Sequence, residues 1–469
     1  MWARLKRQLI DIVGEQRVLS EGDELAFYGT DRCRGDWSVD PRAIVFPANV
    51  EQIREIVLAC GAAGVAIVPS GGRTGLAGAA TATAGEVVVS LARMTTILEV
   101  DSQARLVHSQ AGATVEAIQR AAEEAGLMYP VDFAAKGSAQ IGGSVATNAG
   151  GVKVVRYGLT RDWVAGLKVV LASGEVVTLG GKLVKNNTGY DLRQLMIGSE
   201  GTLGIIAEVT MRLCRPPHGL EVALCGVPDD ASILQLFARL RASCLDLTAF
   251  ECMDHRCLEH VVAHQPRGLP FAEPCARYAL CEVEVPAPGQ AARDQTREAL
   301  TAVLGEAAEA GELLDAVFAA SSSQAQALWA LREDISESLH HWTPHKADVS
   351  LAIGDVPQFL EAWRAAAEQH LPAVEALCFG HIGDGNLHLN LLCPEGMPHA
   401  EFHAACKQFD DQTYGLVARY NGSISAEHGI GLLKRDHLHF TRTPPELAMM
   451  RAVKQALDPA GLFNPGKIF

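Results

Sequence analysis

The 469-residue sequence lacks several features that would assign it to common protein classes. No C-x-x-C pair occurs among its 12 cysteines, which disfavours an iron–sulfur site or a disulfide framework and predicts reduced thiols in a cytoplasmic protein. No uninterrupted apolar run reaches the roughly 18 residues that a membrane span needs. The net charge of −15 disfavours a general nucleic-acid surface. An anionic substrate would therefore need a local basic pocket.

The N-terminal stretch also lacks the composition of a targeting segment. Apolar residues recur at helical spacing from Trp2 to Val13, but Asp11 and Glu15 interrupt them. This pattern fits neither a signal-peptide core nor an acid-poor transit peptide. We predict an ordinary amphipathic helix.

Glycine is abundant in the first half of the chain and rarer in the second. Residues from about 40 to 210 open with the β-α-β pattern RAIVFP, NVEQIREIVLACGAAG and VAIVPS. After Pro216, strands such as LEVALCGV alternate with Ala-rich helices. This change predicts a second, α+β domain with an antiparallel sheet covered by helices. The length allows two or three domains.

The segment PSGGRTGLAG, residues 69–78, follows a predicted strand. Its glycines permit positive φ and let successive backbone N–H groups approach an anion closely. It is neither a Walker loop nor a good G-x-G-x-x-G fingerprint, because the Gly-Lys-Ser/Thr ending and the downstream acidic residue are missing. The pattern alone is also compatible with a loop in which the backbone packs tightly.

Three further segments strengthen the prediction of a phosphate-bearing cofactor. They are GSAQIGGSVATNAGG (137–151), VVRYG (154–158) and NNTGYDLRQLMIGSEGTLGII (186–206). In this order the motifs resemble the FAD-linked D-2-hydroxyacid dehydrogenases of the vanillyl-alcohol-oxidase/p-cresol-methylhydroxylase superfamily. The resemblance covers essentially the whole chain. It is nearest to the members that act on D-2-hydroxyglutarate.

The resemblance implies an α+β architecture with a two-part FAD-binding domain of the vanillyl-alcohol-oxidase type. An α+β substrate domain with an antiparallel sheet and a C-terminal helical segment would complete it. We expect a helical segment at 1–36, the FAD-binding domain at 37–216 and the substrate domain at 217–424. Residues 425–469 would complete the active site.

FAD is the implied cofactor, bound non-covalently because Arg73 stands where covalent relatives often carry histidine. The residues that the resemblance assigns to FAD lie mostly in the glycine-rich segments. They are Pro69, Ser70, Gly71, Gly72, Arg73, Thr74, Gly75, Gly78, Ser138, Ile141, Gly142, Gly143, Thr147, Asn148, Gly150, Gly151, Tyr157, Gly201, Gly204, Ile206 and Asn464.

The segment FGHIGDGNLHLN, residues 379–390, places His381 and His388 around a glycine-rich corner. In a strand, His388 and Asn390 would share one face, opposite the alternating leucines. Glu427, in SISAEHGIGLLKR, would give the two-His, one-carboxylate set of a catalytic Zn²⁺ site, which Mn²⁺ also accepts. Alternatively, the histidines pack in the core and Glu427 caps the turn that follows it.

The segment LWALREDISESLHHWTPHK predicts a helix on which Arg332 and Ser336 share one face. Such residues are often merely solvated. The resemblance, however, implies that Arg332, Ser336 and Lys346 bind the substrate carboxylates, since Arg and Lys suit that chemistry. The other implied contacts to substrate are Asn390, His428 and Arg73.

These residues, together with the resemblance, imply an FAD- and metal-dependent dehydrogenase that oxidises D-2-hydroxyglutarate to 2-oxoglutarate, with His428 as the candidate base. A D-lactate, D-malate or glycolate dehydrogenase is the alternative within the superfamily. A non-catalytic flavoprotein subunit and a metal-binding structural module are alternatives of other classes. An electron-transfer flavoprotein is the expected acceptor. A homodimer is left open.

Overall fold

Strands and helices form largely where the hydrophobic patterns predict them. The strands are β1 (Val18–Leu19), β2 (Ala43–Val45), β3 (Ile67–Ser70), β4 (Val87–Ser90), β5 (Ile97–Asp101), β6 (Leu106–Gln110), β7 (Val164–Val170), β8 (Val176–Gly180), β9 (Ile205–Arg212), β10 (Leu220–Val227), β11 (Asp246–Asp254), β12 (Arg277–Glu284), β13 (Asp315–Phe318), β14 (His345–Ser350), β15 (Glu375–Gly380) and β16 (Asn386–Leu392). The helices are α1 (Trp2–Val13), α2 (Glu24–Tyr28), α3 (Val50–Ala63), α4 (Val115–Glu124), α5 (Ile141–Thr147), α6 (Val154–Tyr157), α7 (Thr160–Trp163), α8 (Arg193–Met196), α9 (Asp230–Ala242), α10 (His255–His264), α11 (Gln290–Glu309), α12 (Ser322–Glu333), α13 (Ile335–Ser338), α14 (Val356–His370), α15 (His399–Arg419) and α16 (Pro444–Leu457).

The computed structural model describes residues 1–33, 35, 37–265 and 268–469. The chain divides into two units. Unit 1 consists of Met1–Gly150, Gly158–Pro216 and Glu427–Phe469, and unit 2 consists of Gly151–Tyr157 and Pro217–Ala426. Among the described residues, no helix has both the length and the apolar character that crossing a membrane requires.

Unit 1 contains two sheets. The first has the order β1-β2-β4-β3, in which β4 pairs in parallel with β2 and with β3. Helix α3 connects β2 to β3; Asn49 caps its N-terminus by accepting the Gln52 N–H, and Gly64 ends it with φ 62°. The predicted β-α-β opening is therefore confirmed. The second sheet is antiparallel, with the order β5-β6-β9-β7-β8.

The predicted N-terminal helix is α1. Leu5, Leu9 and Val13 are buried on one face and join the core of unit 1 with Ile53 and Val57 of α3. Burial of each such side chain contributes about 1.5–3 kcal/mol. The amphipathic interpretation of this stretch is confirmed.

Unit 2 contains one antiparallel sheet, in the order β13-β10-β12-β11-β15-β16-β14. In β16, Leu387, Leu389 and Leu391 are buried and alternate with His388 and Asn390, as predicted. The α+β prediction, with an antiparallel sheet in the second half, is thus confirmed.

The helix predicted to carry Arg332 and Ser336 is interrupted. The chain forms α12, which ends at Glu333, and then the single turn α13, with Asp334 between them. Arg332 is buried whereas Ser336 is exposed. The prediction of one continuous helix with a shared face is wrong, because the turn at Asp334 gives the two side chains different surroundings.

Candidate active site

Three of the predicted cofactor segments meet in unit 1 at the end of β3. A Cβ atom added to Gly72 would lie 2.0 Å from the carbonyl oxygen of Ser138, and one added to Gly201 would lie 3.1 Å from Pro69. The backbones therefore approach so closely that residue 72 has no room for a side chain. Glycine-rich loops of this kind can bring backbone N–H groups close to an anionic ligand.

Several of these residues hold a backbone conformation that side chains disfavour. Arg73, Asn148 and Asn464 have φ values of 57°, 51° and 46°. Asn464 is fixed by its surroundings: its N–H donates to the Ile67 carbonyl at 2.7 Å, and its Nδ2 donates to the Ala79 and Glu200 carbonyls. Backbone strain of this kind persists only where the structure holds it, and it concentrates at ligand sites.

The same region contains buried polar atoms that suit a cofactor. Ser70 Oγ, Gln140 Oε1 and Asn464 Oδ1 are buried without a hydrogen-bond partner in the described part of the chain. Gln140 Oε1 lies 3.4 Å from where a Gly71 Cβ would be. Buried polar groups normally have a hydrogen-bond partner, so these three atoms are suited to contact a polar ligand. The residues fit FAD, and Gln140 is a candidate contact that the sequence did not suggest.

A cavity of about 720 Å³ adjoins this loop within unit 1. It is lined by Ala26, Phe27, Thr30, Asp31, Arg32, Cys33, Gly35, Trp37, Val39, Gly72, Arg73, Thr74 and Ser138. The Arg73 guanidinium stacks over the rings of Phe27 and Tyr28, at 4.0 and 4.8 Å from their centroids, and donates to the Phe27 carbonyl. Burial lowers the pKa of Arg73. A substrate contact for Arg73 stays a prediction.

The remaining residues assigned to FAD are divided between the units. Ile141 and Ile206 are buried in the core of unit 1, and a Cβ on Gly142 would meet Ala111 at 2.6 Å. Tyr157 lies in unit 2, as does Gly151. The Tyr157 hydroxyl donates to Glu284 at 3.2 Å.

In unit 2, one face of the β14–β16 pair carries a row of polar side chains. Lys346 is opposite Asn390, and Asp348 is opposite His388, so these four side chains share a face. Asp348 and Asn390 are buried, whereas Lys346 is exposed. Asn390 Oδ1 has no hydrogen-bond partner among the described residues. This row of polar side chains is a candidate substrate surface on the sheet of unit 2.

His381 follows β15 and lies beside the row. Its ring centroid is 5.1 Å from that of His388, with the rings edge to face. Its Nδ1 is 2.8 Å from Glu251 Oε1, and the other Glu251 oxygen is 2.8 Å from Arg332 Nη2. Burial would raise the pKa of Glu251, but its neighbours His381 and Arg332 outweigh burial and lower it.

Glu251 and Asp348 are functional candidates that the sequence did not reveal. Each carboxylate lies near the Nδ1 atom of one histidine, at 2.8 Å for Glu251 and 3.6 Å for Asp348. At His381, where the carboxylate is within hydrogen-bond distance of Nδ1, it favours the tautomer in which Nε2 carries the lone pair, as in metal-binding histidines. The donor set therefore fits a divalent metal. The only sign of these two residues in the sequence was an acidic residue within a buried strand, Glu251 in β11 and Asp348 in β14.

Glu427 and His428 begin the last segment of unit 1. Glu427 Oε1 is 3.8 Å from His428 Nε2. The carboxylate that accepts the N–H groups of Ile430 and Gly431 in the following turn is Glu200. The assembly of Glu427 with the two histidines stays a prediction.

Comparison with known proteins identifies the class of protein to which this chain belongs. Residues 41–180 match the FAD binding domain, and residues 217–468 match the C-terminal domain of FAD-linked oxidases. The structure also resembles p-cresol methylhydroxylase with substrate bound (TM-score 0.79, 17% identity, 100% of this chain and 96% of that chain). It resembles a 4-ethylphenol oxidase from Gulosibacter chungangensis as well (TM-score 0.74, 18% identity, 100% and 97%). At these identities the likeness concerns the fold. The protein is an FAD-binding oxidoreductase.

Proteins of similar sequence identify the family within this class of FAD-binding oxidoreductases. A D-2-hydroxyglutarate dehydrogenase from Stutzerimonas stutzeri is 47% identical over 98% of each chain. One from Xanthomonas citri pv. viticola is 48% identical over 97% of this chain and 94% of the relative. The mitochondrial protein of that name from Bos taurus is 37% identical over 96% and 81%. The chain belongs to the D-2-hydroxyglutarate dehydrogenase family of FAD-linked enzymes, which act on a CH–OH donor.

Proposed function

We propose that this enzyme oxidises D-2-hydroxyglutarate to 2-oxoglutarate. The observation that carries the proposal is the polar face of β14 and β16, where Lys346, Asp348, His388 and Asn390 lie together. A small polyanion needs such a set of fixed polar groups, because the protein as a whole has a charge of −15. Relatives with this name, which match nearly the whole chain, support the choice of substrate.

His381 and His388 would hold a divalent metal together with Glu427, with Zn²⁺ as the first candidate and Mn²⁺ as the second. The carboxylates at the histidine Nδ1 atoms support this assignment. When bound, such a metal supplies a Lewis acid for the substrate hydroxyl.

The cationic side chains would recognise the two carboxylates. Lys346 offers an exposed point charge at the end of the polar row, and Arg332 offers its buried Nε, which has no hydrogen-bond partner among the described residues. Asn390 would orient the substrate through its unpaired Oδ1. Ser336 and Arg73 are the remaining proposed contacts.

In the reaction, His428 would accept the proton of the C2 hydroxyl while the C2 hydrogen departs with its electron pair. The C–O bond thereby becomes a carbonyl. When bound, non-covalent FAD supplies the acceptor of that hydride. The loops at Ser70–Gly72 would hold the cofactor through their backbone and through the buried polar atoms beside them.

We propose an electron-transfer flavoprotein as the electron acceptor and the cytoplasm as the location. The twelve cysteines are all free thiols, which suits a reducing compartment. A homodimer is a further proposal, which sedimentation would test.

A panel of D-2-hydroxy acids, assayed with an artificial dye acceptor before and after chelation, tests the function. Each charge-assisted hydrogen bond to carboxylate contributes roughly 1.5–3 kcal/mol, so two distal anchors should favour D-2-hydroxyglutarate over D-lactate by at least about 100-fold in kcat/KM. D-malate should fall between them. If the enzyme prefers D-lactate or glycolate, the assignment of D-2-hydroxyglutarate as substrate is wrong. Full activity with no metal present would refute the metal site.

A further inference from the structure

Glu200, in the segment GSEGTLG, is a buried carboxylate to which neither the cofactor nor the metal assignment gives a role. Its residue is 7% exposed, and its backbone is left-handed with φ 50°. A buried carboxylate and a strained backbone both cost free energy. Their combination at one residue calls for a functional explanation.

The Glu200 side chain holds a loop of unit 1. Its Oε1 accepts the N–H of Ile430 at 2.8 Å, and its Oε2 accepts the N–H of Gly431 at 2.7 Å. The loop is also close enough that a Cβ on Gly429 would lie 2.8 Å from Oε1. Both oxygens are therefore used, and a side chain at residue 429 would displace the Glu200 carboxylate.

The Glu200 backbone is fixed to the cofactor segments. Its N–H donates to the Ala146 carbonyl at 2.8 Å, and its carbonyl accepts Asn464 Nδ2 at 2.7 Å. Its neighbour Gly201 packs on Pro69. A single residue thus joins the predicted FAD loops to the loop that carries Glu427 and His428.

The loop needs such a restraint. Gly429 and Gly431 have φ values of 83° and 51°, and glycine has more conformational freedom than any other residue. Ile468 also holds this loop through its N–H, which donates to the Gly431 carbonyl, but without the Glu200 carboxylate a loop with two glycines next to a base and a metal ligand would be less restrained. Misplacement of a catalytic group by about 1 Å can cost roughly 100-fold in rate.

We propose that Glu200 is a positioning residue whose carboxylate fixes residues 427–431 and thereby orients Glu427 and His428. The inference rests on the proposed function, because it assumes that these two side chains act as metal ligand and base. Glu200 itself touches neither substrate nor metal in this assignment. It acts through the two backbone N–H groups that it accepts.

Glu200→Gln is the first test, since the amide keeps the shape but can accept only one of the two N–H groups. FAD content and thermal stability should change little. The zinc dissociation constant, measured by chelator competition, should rise about 10–100-fold, as for other residues that orient metal ligands. The value of kcat should fall by about 10–100-fold with little change in KM. Glu200→Asp, which keeps both oxygens, should recover part of each loss.

Glu86→Gln is the matched control. Glu86 is also buried in unit 1, accepts the backbone N–H of Ala84 at 2.7 Å and pairs with buried Lys467 at 3.8 Å, but it has no hydrogen bond to residues 427–431 among the bonds described. This variant should lower stability without changing zinc affinity or kcat of the folded enzyme. Equal losses in the Glu86→Gln and Glu200→Gln enzymes would show a merely structural role and overturn the proposal.

Gly429→Ala decides the matter if Glu200→Gln fails to fold. It should displace the loop from Glu200 and reproduce the loss of zinc affinity, whereas Gly461→Ala, which also has positive φ but no atom within 4 Å of its added Cβ, should not. Wild-type zinc affinity and kcat in Glu200→Gln, or in folded Gly429→Ala, would refute the positioning role. A wild-type enzyme without zinc or dehydrogenase activity would instead refute the proposed function, and this inference with it.

Discussion

Glu200 in unit 1 and Glu251 in unit 2 are both buried carboxylates, but their partners differ. Glu200 accepts two backbone N–H groups, and burial raises its pKa to about 7 although Ile430, Gly431 and nearby Lys434 oppose the rise. Glu251 faces His381 and Arg332, and its pKa is lowered although it is fully buried. In this pair, the charged neighbours of Glu251 offset the cost of burial more fully than the backbone N–H groups at Glu200 do.

The same contrast separates the two candidate binding regions. Unit 1 presents glycine, backbone and small polar side chains, which suit a large cofactor that the chain must approach closely. Unit 2 presents charged and imidazole side chains on a rigid sheet, which suit a small, doubly charged acid and a metal. Substitutions in the glycine-rich loops of unit 1 should therefore damage cofactor binding, whereas substitutions in the polar row of unit 2 should damage the chemistry.

The largest effect is expected in unit 2. His381→Ala or His388→Ala should lower kcat by about 10³-fold, because losing the metal removes several kcal/mol of stabilisation and each 1.4 kcal/mol is roughly tenfold. The visible absorption of FAD should persist. Metal analysis and flavin spectra check this, with the exposed His370→Ala as the control. If these variants lost flavin as well as metal, the proposed separation between the cofactor loops of unit 1 and the metal histidines of unit 2 would be wrong.

The corresponding test in unit 1 is Gly72→Ala. Its Cβ would lie 2.0 Å from the Ser138 carbonyl oxygen, so the two cofactor loops must separate. We expect FAD affinity to fall by about 100-fold, close to the loss of two charge-assisted hydrogen bonds. Fluorescence titration of the apoenzyme with FAD measures it.

Gly61→Ala is the control for Gly72→Ala, since a Cβ there meets only Leu462, at 3.7 Å. It lies within α3 and should retain FAD affinity. Zinc affinity should be normal in both variants. Unchanged FAD affinity in Gly72→Ala would show that the loop does not bind the cofactor.

The sequence predicted features whose signal is local. Glycine-rich loops, the alternation around His388 and the β-α-β opening all depend on neighbouring residues. Glu251 was missed because its partner His381 is 130 residues away, and Glu200 because it bonds to Ile430, 230 residues away. The break at Asp334 was missed because residues 332–338 carry no glycine or proline.

A smaller effect is expected for substrate choice, and the structure identifies Lys346 as the cleaner probe. Arg332 pairs with buried Glu251, and breaking a buried pair costs about 3–5 kcal/mol, so Arg332→Ala should also destabilise unit 2. Lys346→Ala should lower kcat/KM for D-2-hydroxyglutarate about 10–100-fold while leaving D-lactate nearly unchanged.

Lys407→Ala is the control for Lys346→Ala, because Lys407 is an exposed lysine of the same unit, on α15. It should behave as wild type with both substrates. If Lys346→Ala reduced both substrates equally, the lysine would not bind the distal carboxylate.

The smallest effect concerns a second carboxylate of unit 2 with the same kinds of partner as Glu251. Glu375 accepts from His260 at 3.1 Å and from Arg256 at 2.6 Å, but its side chain is 30% exposed. These partners lower the pKa of Glu375 to about 2, His260 first. The carboxylate therefore stabilises the fold above the unfolded pKa of about 4.3, and this contribution is lost as pH falls towards 2.

Glu375→Gln should accordingly reduce the free energy of unfolding by only about 0.2–1 kcal/mol near neutral pH, as for exposed ion pairs. The difference from wild type should shrink between about pH 4.3 and pH 2, because the native carboxylate then becomes protonated and the variant loses nothing further. Urea unfolding at a series of pH values measures it. Zinc affinity should be unchanged, since Glu375 bonds to neither histidine of the proposed metal site among the bonds described. A pH-independent difference would mean that the side chain acts through packing. In unit 2, the effect of charged partners on a carboxylate would then be limited to the buried Glu251.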